Sequence, residues 1–221
     1  MASRWFLGML LVTAVAGCSG FHVQKSRATY RGHEWLVELD APEPQRGAGG
    51  GWGLQAALDD RVAWFYTEGP AAGPPRKVLV VLALEDGAGP QPGRWAQAWE
   101  AGPGKAAKAA TEVLASEVLW QGETTREGGA AAGLDVTPVE LRLAHAWGEA
   151  PDRSVVVAGH VACRRDAGVP VIACVLAGAV PDGQSPSGAW HQGPDAGPNL
   201  AWAKEVARAV SFERKHPAVQ P

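Results

Sequence analysis

Apolar and polar positions change their spacing several times along the chain, and each change marks an element. Within 29–39, Trp35, Val37 and Leu39 alternate with Leu36, Glu38 and Asp40, the two-residue period of a strand with one face turned inward. Pro42 and Pro44 end it, because proline has no amide to donate to a ladder. Residues 54–58 and 61–67 predict two short strands, the second read from Val62-Ala63-Trp64-Phe65-Tyr66. The run KVLVVLAL over 77–84 is apolar throughout and predicts a central strand buried on both faces. Past a Gly/Pro stretch the period becomes helical. Trp95 and Trp99 stand four apart, Gly102-Pro103-Gly104 breaks the run, and 105–119 places Ala109, Val113 or Ala110, Leu114, and Glu117 or Val118 at helical spacing.

Strand patterning returns after Trp120, over 123–126, 138–147, 154–164 and 169–176. The last two are separated by Arg165-Asp166-Ala167-Gly168 and read as an antiparallel hairpin. A long Gly/Pro/Ser/Asp loop over 181–199 follows. Asn199 is then placed to cap a final helix over 200–212, with Ala201, Val206, Ala209 and Val210 inward. Strands, helix, strands in meander and a closing helix predict an α+β domain: an antiparallel β-sheet with two main helices packed on it, one mid-chain and one C-terminal. That order, with the closing Ala209-Val210-Ser211-Phe212, resembles the Mog1/PsbP-like fold of some small envelope proteins. The resemblance implies an accessory or assembly role rather than catalysis, and carries over no functional residues.

The N-terminus changes the picture most. Arg4 is the only charge before Cys18, and the apolar run from Trp5 to Ala16 is too short to span a bilayer, which takes about 20 residues. It ends Val15-Ala16-Gly17-Cys18, which resembles the lipobox of bacterial lipoproteins. The resemblance implies recognition of Val15, Ala16 and Gly17 by the signal peptidase, a diacylglyceryl group on the Cys18 thiol, and cleavage before it. An acyl chain such as palmitate on the new amine would complete the anchor, since two or three chains make membrane binding stable. Ser19 after the cysteine implies sorting to the outer membrane. The alternative is an ordinary secretory peptide cut near Ala16. The chain thus divides into 1–17 signal peptide, 18–28 lipidated tether, 29–214 single domain and 215–221 flexible tail.

Composition adds exclusions. The formal charge is −3, and the mature chain is more acidic still because it loses Arg4 and no acid. Without a basic cluster, no nucleic-acid partner is predicted. Ten Trp stand against four Phe and two Tyr, and a GC-rich coding bias would explain this without a functional cause. Trp52, in a Gly-rich loop, and Trp190, in the long late loop, are the aromatics placed to bind a partner or ligand; the alternative is that each folds back over a sheet edge.

Candidate chemistry is sparse. Cys163 and Cys174 flank the predicted hairpin turn, so in register they face one another, and an oxidising compartment favours a disulfide. The alternatives are two buried thiols, or a metal site with His160 that lacks a fourth ligand. His22, His33, His145, His160, His191 and His216 form no metal-binding motif, and His33-Glu34 alone is not one. Gly183-Gln184-Ser185-Pro186-Ser187 departs from a nucleophile elbow by its proline and its final serine. Asp59-Asp60 and Glu85-Asp86 are read as solvated pairs at turn ends. No catalytic residue, metal or cofactor is predicted. The expected function is a non-catalytic envelope lipoprotein acting through another envelope protein. The alternative is a ligand-binding lipoprotein for an apolar or glycan molecule in a pocket lined by Trp95, Trp99 or Trp190.

Overall fold

The computed structural model describes residues 20–24, 27–32, 35–40, 52–59, 62–67, 77–86, 93–144, 154–180 and 196–215. Twelve strands and three helices are described, in the order β1 (Gly20–Gln24), β2 (Arg27–Arg31), β3 (Trp35–Asp40), β4 (Trp52–Asp59), β5 (Val62–Thr67), β6 (Lys77–Glu85), α1 (Arg94–Glu100), α2 (Lys105–Leu114), β7 (Glu117–Gln121), β8 (Thr125–Gly128), β9 (Gly133–Ala144), β10 (Ser154–Arg165), β11 (Val171–Ala179), α3 (Ala196–Ala209) and β12 (Ser211–Arg214). The fold is α+β and every strand pair is antiparallel.

A large sheet runs β4-β5-β6-β11-β10-β9-β7, with β8 also paired to β9. Its two faces carry separate cores. Val78, Val80, Leu82 and Leu84 of β6 meet α1 and α2, while Leu79, Val81 and Ala83 meet α3 and the inner face of a second sheet, β1-β2-β3-β12. The continuous apolar run of β6 follows from that arrangement, because a strand between two packed layers has no solvent face for polar residues.

Several boundaries differ from the sequence expectation, each for a tertiary reason. Residues 19–28 were expected as a tether, yet β1 lies within them and pairs with β2, Phe21 opposite Tyr30 and Val23 opposite Ala28. The strand expected over 29–39 is two, β2 and β3, paired with each other. The helix expected to reach Leu119 stops at Leu114. Ser116 donates through its amide to the Arg142 carbonyl, and the following residues join the edge of β9. Val113 and Val118, expected at inward positions, are exposed: the buried face of α2 is Ala106, Ala107, Ala110, Thr111 and Leu114, and Val118 lies in the edge strand β7. The strand expected from Pro138 starts at Gly133. Pro138 is tolerated in its middle because β8 pairs only up to Val136 and β7 only from Val139, so no neighbour on that side needs its missing amide.

The last helix begins at Ala196, which puts Asn199 inside its first turn rather than at its cap. It ends at Ala209 because Arg164 reaches under it and donates one nitrogen to the Arg208 and Val210 carbonyls at 2.6 and 2.5 Å. A cation on the terminal carbonyls satisfies groups with no helical partner. Ser211 and Phe212 then pair with Glu38 and Val37 in β12, so the segment expected to close the helix is half strand. The inward residues are Ala203, Val206, Ala207 and Val210, whereas Ala201 and Ala209 are exposed.

Gly159 and Gly178 stand opposite each other in β10 and β11. A Cβ on Gly159 would meet the Ala177 carbonyl oxygen at 2.2 Å and the Gly178 Cα at 2.5 Å. Backbone atoms cannot yield as a flexible side chain does, so Gly159→Ala is expected to lower stability by about 1–3 kcal/mol. A fall in the urea midpoint checks this, and an unchanged midpoint would show that the pair can separate freely.

Candidate functional site

Cys163 and Cys174 are opposite one another in the β10–β11 register and are joined by a disulfide. Both are buried on the face covered by α1 and α2. His160, three residues before Cys163, points to the other face by strand alternation, so the His160/Cys163/Cys174 metal set does not form. Among the described residues no three of His, Cys, Asp and Glu gather as a metal site.

Trp95 and Trp99 are buried in the core between α1, α2 and the sheet, packed with leucines and valines rather than lining a pocket. Trp52 begins β4 opposite Thr67, in a strand rather than in the expected loop. His22 lies in β1 opposite Thr29 and Asp59 ends β4 opposite Val62. Val15, Ala16, Gly17, Cys18, Trp190, His33, His145, His191, His216, Asp60 and the 183–187 segment lie outside the described residues.

Of the acids expected to be solvated, Glu85 and Asp86 have partners. Glu85 accepts the Tyr30 hydroxyl at 3.0 Å, joining the small sheet to β6. Asp86 accepts the amides of Trp95 and Ala96 at 2.7 and 2.8 Å. This matters because α1 begins after Gly93, which has no side chain to cap the first-turn amides. α2 has the same deficiency at Gly104 and the same solution: Asp135 of β9 accepts the Gly104 amide at 3.0 Å. A Cβ at Gly104, whose φ is +82°, would fall 2.4 Å from the Thr124 hydroxyl, so close approach and backbone conformation both require glycine.

Asp135 is also the centre of a buried clasp. Its side chain is fully buried and takes Arg126 Nε and Nη2 at 2.5 and 2.8 Å, a bidentate pair. Arg126 donates Nη2 to the Trp99 carbonyl at 3.1 Å and lies 4.4 Å over the Trp99 ring. Hydrogen bonding to Asp135 raises the Arg126 pKa above its ordinary value, against the opposing effect of burial. One carboxylate thereby holds β8, β9, the end of α1 and the start of α2 together.

On the other face, Glu127 of β8 bridges two cations of α3, Lys204 Nζ and Arg208 Nη2, each at 2.5 Å. These residues adjoin a shallow surface depression of about 460 Å³ lined by Glu127, Leu134, Arg164, Arg165, Asp166 and Arg208. Arg164 pairs with Asp166 at 2.7 Å and Arg165 with Glu100 at 3.5 Å. The guanidinium groups here hold carboxylates and carbonyls of the chain itself, so they tie α3, β8 and β10 together.

The hydrogen bond from Lys204 lowers the Glu127 pKa, burial opposes this, and Arg208 adds to the lowering. A depressed folded pKa gives stability that is complete above the ordinary value of about 4.3 and lost as pH falls through the lower folded value. Glu127→Gln is therefore expected to cost a modest amount of stability near neutrality and none once the pH has fallen below the lowered folded value. Urea titrations of both proteins across pH check this. A difference that persisted in acid would assign the effect to something other than charge.

Sequence reasoning missed Arg126, Asp135 and Glu127. Between Leu134 and Val136, Asp135 stands where a strand with one inward face puts a polar residue, so its burial and its partner emerge only from the β8–β9 register, Arg126 opposite Asp135. The chain matches no protein-family model, and a search of curated proteins finds no match.

Proposed function

We propose that the protein is a non-catalytic envelope lipoprotein, anchored through Cys18 and acting as an accessory or assembly component through contacts with another envelope protein. One observation carries the reading: Cys163 and Cys174 are disulfide-bonded, as suits a chain folded in an oxidising compartment, which is where the Val15-Ala16-Gly17-Cys18 lipobox would deliver it. The packing of Trp95 and Trp99 into the core supports contact through the surface over a pocket between sheet and helices. Within this reading the outer membrane is the destination, and kinship with Mog1/PsbP-like accessory proteins belongs to the same proposal.

The test is purification of the full-length lipidated protein from its native envelope after mild cross-linking, with proteomic and small-molecule readout. A stoichiometric protein partner is expected. A monomer carrying a lipid or glycan would sink the reading and favour the ligand-binding alternative.

A further inference from the structure

The contacts that hold α1 down are grouped around the disulfide. Cys163 stands opposite Cys174 in β11 on one side and Asp135 in β9 on the other, so the three side chains share the face covered by α1 and α2. Arg126, held by the Asp135 carboxylate, donates to the Trp99 carbonyl at 3.1 Å. Arg165 is two residues past Cys163 and so on the same face. It donates to the Ala96 carbonyl at 3.3 Å and approaches Glu100 at 3.5 Å. On the far side Cys174 is opposite Leu82 of β6, and Asp86, just past that strand, accepts the amides of Trp95 and Ala96. α1 is thus tied at both ends by residues from three strands around the two cysteines.

Cys163 is 0% and Cys174 1% exposed, in one core cluster with Trp95 and Trp99. Making or breaking a disulfide by exchange requires a thiolate to reach one of its sulfur atoms. None can do so while the helices are seated. α1 has only seven residues, too few to be stable alone, so its place depends on these contacts. Lifting it disrupts one short helix rather than the whole fold.

We propose that α1 is a lid over the Cys163–Cys174 bond: the bond is made before the lid seats and is shielded from thiol reductants afterwards. The partner this requires is a disulfide-carrying oxidant that meets the β10–β11 hairpin while it is open. The two thiols give up two protons and two electrons, the bond forms between Cys163 and Cys174, and the donor's disulfide becomes a dithiol. The proposal rests on the packing around Cys163 and is independent of the anchor at Cys18.

The test treats the purified, oxidised full-length protein with dithiothreitol over a range of urea and alkylates the thiols that appear. Peptide mass reports Cys163 and Cys174 separately from Cys18, whatever Cys18 carries. Without urea, reduction is expected to be about a hundredfold or more slower than in unfolding urea. Its urea dependence is expected to be shallow, since lifting one short helix exposes little surface. Asp86→Ala and Arg165→Ala are each expected to speed this reaction severalfold, whereas Arg208→Ala, on α3 across the sheet, leaves it unchanged. Reduction as fast as in the unfolded chain would overturn the lid by showing that α1 is no barrier. A slow reaction with the urea dependence of complete unfolding at every concentration would overturn it too, because α1 would then not lift by itself. So would an equal gain from Arg208→Ala and Arg165→Ala.

Discussion

Asp135→Ala is expected to destabilise the domain by about 3–5 kcal/mol, the loss typical when one member of a buried ion pair is removed. Arg126 would keep its charge, because a guanidinium does not deprotonate in a protein, and would be left over the Trp99 ring without the carboxylate that takes two of its nitrogens. The Gly104 amide would lose its acceptor at the start of α2 in the same step. The double variant Arg126→Met/Asp135→Leu removes both charges and fills the space. It should be markedly more stable than Asp135→Ala, although the Gly104 amide stays uncapped and limits the recovery. Urea unfolding followed by tryptophan fluorescence checks both. A loss below about 1 kcal/mol for Asp135→Ala would mean that the clasp is not what joins the helices to β8 and β9.

Cys163→Ala/Cys174→Ala is expected to cost about 2–3 kcal/mol, from the chain-entropy relation for cysteines 11 residues apart. The direct opposition of the two residues in register means that the strands already place them together, so the bond acts mainly by restricting the unfolded chain. Loss of the two buried sulfur atoms adds a smaller packing penalty. Replacing both residues avoids a lone buried thiol. Equilibrium unfolding under oxidising conditions is the measurement. A double variant as stable as the parent would show that the hairpin is equally constrained without the bond.

The parts of the fold that could be read from sequence were those dictated by local period or by a turn. KVLVVLAL specified β6, and the Gly-containing turn between Cys163 and Cys174 specified the hairpin and made a bond between them the leading reading, with two free thiols as the alternative. What escaped was pairing between distant segments. Ser211-Phe212 continues a helical pattern, yet Arg164, far away in β10, closes the helix and frees these residues to pair with β3. Residues 20–24 are short and carry a histidine and a glutamine, which reads as tether until β2 supplies the partner strand. The clasp was hidden for the same reason: Arg126 and Asp135 look like ordinary charged positions until the β8–β9 register sets them opposite one another in the core.

Anchoring through Cys18 underlies the proposed function. Its most direct test is the mass of the N-terminal peptide of the protein isolated from its native membranes. The expected peptide begins at Cys18 and carries a thioether-linked diacylglyceryl group, with a further acyl chain on its amine. A peptide beginning near Gly17, or one beginning at Cys18 with a bare thiol, would contradict it.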